Sequence, residues 1–168
     1  MSKFGEPRSR CDDYIDKVVD YAWEHSSNDA TYIIQERRFM NECIDLIDLS
    51  IFPNVPHSWI DEMRVFVMSV FENGTYKEQK SILDQRKKEF RSMACIPDTK
   101  FTEEQLYTFW AVSSLFSYCV EYGASGDLVI ESFTASMWFH LQIDEDIVAS
   151  LLYKHFGNII ETTSSHLE

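Results

Sequence analysis

The sequence predicts an all-α fold: a single-domain bundle of about seven helices with a central apolar helix. Three observations carry this. Apolar residues recur at the three-to-four spacing of one helix face in each long segment. No segment shows the strict alternation of a half-buried strand. Three segments open like capping boxes: Ser58-Trp59-Ile60-Asp61, Thr75-Tyr76-Lys77-Glu78 and Thr102-Glu103-Glu104-Gln105. A chain of 168 residues, 45% hydrophobic and 14% aromatic, is long enough to bury a core without disulfide or metal staples.

The first helix is expected over residues 10–25, with Ser9 as cap and Cys11, Tyr14, Ile15, Val18, Val19 and Ala22 facing inward. Asn28 and Asp29 punctuate, and a second helix runs to about residue 49, burying Ile33, Met40, Cys43, Ile44 and Ile47. Arg37 and Arg38 on it are expected to pair with nearby carboxylates. Pro53 and Pro56 break the chain. The third helix opens at Ser58 and stops at Asn73-Gly74, where glycine accepts the left-handed conformation that follows a helix. A fourth, basic helix follows Thr75 and runs to about residue 93 on a thin stripe of Ile82, Leu83, Phe90 and Met93.

The fifth helix carries the clearest start signal, Thr102 as cap with Phe101 and Leu106 as a hydrophobic staple. It is expected over residues 103–122, apolar on nearly every side and therefore the most buried, with Trp110 in the core and Gly123 as its stop. A sixth helix over residues 127–142 buries Ile130, Phe133, Met137 and Leu141. A seventh over residues 145–156 buries Val148, Leu151 and Leu152 and is closed by Gly157. The domain is expected to span residues 1–162, with residues 163–168 a disordered tail ending in a Leu-Glu pair like a cloning junction.

The formal net charge is −13, which argues against phosphate backbones and anionic membrane surfaces as partners. The charge is unevenly spread. Residues 77–91 carry a net +3, whereas residues 101–168 hold ten carboxylates against Lys154 alone. No apolar stretch is long enough for a bilayer span, and residues 1–7 lack a signal-peptide core. The four cysteines are widely spaced and read as small hydrophobes of a cytoplasmic protein. No cofactor or metal is implied. There is no phosphate loop, no dinucleotide fingerprint and no His-Glu-x-x-His, and Gly123-Ala124-Ser125-Gly126 is not a nucleophile elbow. The composition therefore points to a binding protein rather than an enzyme.

In this general character (small, strongly acidic, without catalytic groups) the chain resembles the immunity proteins of bacterial toxin systems, including those of contact-dependent growth inhibition. The stretch from Phe109-Trp110-Ala111-Val112 to Ser136-Met137-Trp138 looks like all-helical members of that class. The resemblance implies a cognate basic toxin domain, a nuclease, as partner, and active-site occlusion as the mode of action. Asp144-Glu145-Asp146 is the candidate acidic hot spot. Glu103, Glu104, Glu121 and Asp127 extend it, and Tyr107 and Trp138 are its candidate apolar contacts. A second resemblance is to viral apoptosis regulators of the B-cell-lymphoma type, which bind an amphipathic helix. Leu115-Phe116-Ser117-Tyr118 looks like their central helix and Phe156-Gly157-Asn158 like their C-terminal signature. Their ligand-pairing arginine falls on Ala111 here.

Overall fold

A computed structural model describes residues 9–25, 29–117 and 128–164, with residues 163 and 164 described for their backbone only. Seven α-helices account for most of them, and no strand occurs among the described residues. They are α1 (Arg10–His25), α2 (Ala30–Ile44), α3 (His57–Glu72), α4 (Lys80–Ala94), α5 (Glu103–Ser114), α6 (Val129–Ala135) and α7 (Glu145–Ser164). A 3-10 turn, Leu49–Ile51, joins α2 to α3, and a π turn, Ser136–His140, continues α6. The chain is a single all-α domain, as the periodicity predicts.

Local chemistry explains most boundaries. The amide of Asp12 donates to Ser9 Oγ at 3.0 Å, so Ser9 caps α1. Asp29 caps α2 through the Tyr32 amide and also accepts the Tyr21 hydroxyl. Gly74 sits at φ 69° after α3; its amide donates to the Phe71 carbonyl and the Thr75 amide donates to the Val70 carbonyl, which satisfies the last carbonyls. Thr102 and Gln105 form the expected reciprocal capping box, and Gln105 Nε2 also reaches the Ile51 carbonyl.

Other starts and stops differ from expectation. Helix α2 ends at Ile44. Helix α3 is entered directly from Pro56, and Ser58 makes no capping bond. Thr75 closes α3 instead of opening α4: its Oγ1 donates to the Val70 carbonyl, and α4 begins only at Lys80. Phe101 packs on the rings of Phe52 and Phe109, while Leu106, its expected staple partner, is exposed. Helix α5 stops at Ser114, and residues 118–127, with the expected stop at Gly123, lie outside the described residues. Helix α7 does not stop at Gly157; it bends at Phe156 and continues to Ser164, through the first two residues of the expected tail.

Two aromatic clusters hold the bundle. Tyr32, Phe39, Phe133 and Phe156 meet where α2, α6 and α7 pack, with ring centroids 5.7–5.9 Å apart. Phe52, Trp59, Phe90, Phe101 and Phe109 meet where the 3-10 turn, α3, α4 and α5 pack. Helix α5 touches α2, α4, α6 and the π turn, yet it is not covered all round. It buries Thr108, Ala111, Val112 and Ser113, whereas Trp110 is 50% exposed. The expectation of a core Trp110 is therefore corrected. Apolar character on every side of a helix does not by itself bury every face of it.

Candidate functional site

The residues expected to form one acidic surface fall into separate places. Asp144, Glu145 and Asp146 stand where the N-termini of α1 and α7 meet. Arg10 pairs with Asp146 at 3.2 Å, the Cys11 amide donates to Glu145 at 3.3 Å, and Tyr14 packs on Tyr153 one turn further, so the two helices run parallel. Asp144 Oδ1 accepts the amides of Asp146 and Ile147 at 2.8 and 3.4 Å. Two parallel helices bring two positive dipole ends together, each equivalent to roughly half an elementary charge. Each of the three carboxylates thus has an intramolecular task.

Glu103 and Glu104 are exposed in the first turn of α5. One turn on, Tyr107 stacks face to face on His140 of the π turn, centroids 3.7 Å apart. The π turn also carries Phe139, 50% exposed, and Trp138, which packs partly into the core. The structure therefore brings Tyr107 and the π turn with Trp138 together beside Glu103 and Glu104. Glu121 and Asp127 lie outside the described residues.

The opposite edge of α5 forms a groove with α4 that the sequence reading did not single out. Its volume is about 590 Å³. One wall is apolar: Phe101, Leu106, Phe109 and Trp110. The other is basic: Lys87, Lys88 and Arg91, with Asp84 paired to Lys80 at 3.1 Å. Leu106 and Trp110 stand one turn apart and are 39% and 50% exposed. Ser113 also lines the groove, and its buried Oγ has no hydrogen-bond partner. On α4, Arg86 is held by Glu89 at 2.8 Å and Lys87 donates to Ser117 Oγ at 3.0 Å. Lys88 and Arg91 have no ion-pair partner among the described residues. The thin apolar stripe of α4 beside an over-apolar α5 was the available signal.

Glu42, Cys11 and Cys43 are structural in placement. Glu42 receives Lys154 at 2.7 Å and lies 2.6 Å from His155 Nε2, and these contacts, Lys154 first, hold its carboxyl below the ordinary range. Burial pushes the Cys11 thiol up to about 12 and raises that of Cys43, which removes their nucleophilic character near neutral pH. Among the described residues no group of three His, Cys, Asp or Glu side chains is placed to hold a metal, and no helix is long and apolar enough to cross a membrane. Compared with protein-family models, with curated proteins and with solved structures, the chain finds no match.

Proposed function

We propose that this chain acts by binding rather than by catalysis, and that its working surface is the α4–α5 groove, which receives a helical segment of another protein. The observation that carries the reading is the exposure of Trp110 and Leu106 in line on the groove wall. Tryptophan is the residue type most enriched among interface anchors. An amphipathic helix seats its apolar face in such a groove through residues one turn apart. A small molecule is a poorer occupant, since such ligands are usually about 70–90% enclosed, and this wall is half open.

The test compares proteins captured by the wild type, Trp110→Ala and Leu106→Glu. Trp110→Ala is expected to lose the partner while stability falls by only about 1 kcal/mol, well short of the roughly 3–5 kcal/mol of a core aromatic. A large fall in melting temperature, or an unchanged partner set, would remove the groove from consideration.

A second reading, neutralisation of a basic toxin domain by an immunity-type inhibitor, is favoured by a different observation. Asp20 and Glu24 on α1, and Glu103 and Glu104 on α5, are exposed and form no ion pair among the described residues. Exposed carboxylates without ion-pair partners raise the association rate of a basic partner, and salt suppresses that rate. Binding kinetics of Glu103→Lys/Glu104→Lys against the captured partner across a salt series separate the two readings. We propose a cytoplasmic location, a reading supported by the free thiols of Cys11, Cys43 and Cys95.

A further inference from the structure

The groove has a charge preference opposite to that of the whole chain. In a protein of net charge −13, the α4 wall presents Lys87, Lys88 and Arg91, while its one carboxylate, Asp84, is already neutralised by Lys80. Lys88 and Arg91 are exposed, three residues apart on one helix, and have no carboxylate partner among the described residues. Ser113, 2% exposed, is the one small polar residue among those that line the groove from α5.

Resting on the groove reading above, we infer that the occupant is an acidic amphipathic helix, with Leu, Ile, Phe or Trp toward Leu106 and Trp110 and carboxylates flanking that face toward Lys88 and Arg91. The two walls supply both halves of the recognition. The apolar wall gives affinity for any amphipathic helix. The cations choose among them, because like charges brought together across an interface are penalised while opposite charges are not. The field of the whole protein would repel such a ligand at a distance, so the preference is a short-range one made by side chains at the groove.

The test uses a displayed library of 20-residue helical peptides with a fixed apolar face and Glu or Lys at the flanking positions. Wild-type protein is expected to enrich Glu flanks. Lys88→Glu/Arg91→Glu is expected to enrich Lys flanks and to bind the wild type's best peptide about tenfold more weakly. Trp110→Ala is expected to retain neither class, and circular dichroism verifies that all three proteins are folded. Equal flank composition on wild type and double variant, or Lys flanks on wild type, overturns the charge preference and leaves the groove reading standing. Peptides that bind Trp110→Ala as well as wild type, no peptide selected, or a co-purified amphiphile in native mass spectrometry overturn the groove reading itself.

Discussion

Arg37 closes the end of α5 from a helix 77 residues away: its guanidinium donates to the carbonyl of Ser114. The same group reaches the carbonyls of Leu115 (3.2 Å) and Ser117, lies 4.5 Å from the centre of the Phe71 ring, and is wholly buried. Helix C-termini carry partial negative charge on unpaired carbonyls. A buried cation in the middle of that set satisfies both sides. Arg37→Ala is expected to cost about 3–5 kcal/mol, because carbonyls and Glu36 lose their partner together. Arg37→Lys recovers only part of this, since an ammonium cannot serve several carbonyls as a planar fork does. Urea denaturation of the two variants measures it; a loss under about 1 kcal/mol would show the α5 end to be held by other contacts.

That contact also explains what could be read in advance and what could not. Helix α1 matched its expected span, because the Cys11, Ile15, Val18 and Ala22 stripe and the Ser9 cap are local signals. The Thr102–Gln105 box was equally local. The α5 end was not, since it depends on Arg37, which the sequence reading took for one of two similar helix arginines. Both pair with carboxylates as expected, Arg37 with Glu36 at 3.3 Å in the interior and Arg38 with Glu72 at 3.2 Å on the surface, but only Arg37 also serves the carbonyls at the α5 end. Ser58 and Thr75 carried the right letters for a cap but lacked the geometry, one overtaken by Pro56 and the other drawn back to the α3 end. Residue type singled out Tyr107 and the acidic residues as candidates, but only tertiary packing could show that Asp144, Glu145 and Asp146 serve two helix ends and that Trp110 faces outward.

Glu36 and Glu42 are expected to impose opposite pH slopes on stability. Glu36 is enclosed, with the Tyr32 hydroxyl on Oε2 at 2.7 Å and Oε1 without a hydrogen bond. Burial raises its pKa above 4.5, outweighing Arg37 and Tyr32. The folded chain then holds this proton more tightly than the unfolded chain. Its contribution is fully present below pH 4.5 and is lost as pH rises toward the folded value. Glu42 is lowered, so its contribution is present above 4.5 and is lost as pH falls through the folded value. In urea midpoints, Glu36→Gln should gain on wild type between pH 4.5 and 7, and Glu42→Gln should lose most at pH 7 and converge with wild type in acid. Curves parallel to wild type would contradict the assignments.

Asp144 is expected to matter for folding before it matters for any partner. It caps α7 through two amides, and Asp144→Ala should cost about 1 kcal/mol, a melting shift of about 2–4 °C for a chain of this size. Asp144→Asn keeps the cap and should restore most of it. Reversal of Asp144, Glu145 and Asp146 to Lys should lower melting further, because three cations would face the dipole ends of both α1 and α7. If the triple reversal melts like wild type, the acidic cluster is free of the structural work its contacts indicate and returns as a docking surface.

Gly157 offers the last test, and it separates a glycine that stops a helix from one that merely occurs in it. A stopping glycine adopts the left-handed conformation, as Gly74 does at φ 69° after α3. Gly157 does not: α7 continues past it to Ser164, and the irregular residue is its neighbour Phe156, at φ −122° and ψ 16°. A Cβ added at Gly157 would lie 3.7 Å or more from the nearest atoms, all on the Tyr153 ring, which is ordinary van der Waals contact. Replacement by alanine therefore meets no clash, and it reduces the conformational freedom of the unfolded chain. Gly157→Ala is expected to stabilise by about 0.4–1 kcal/mol, readable as a rise of about 1–4 °C in melting temperature. A fall instead would mean that the bend at Phe156 depends on the glycine beside it, and that α7 is two helices joined by a hinge.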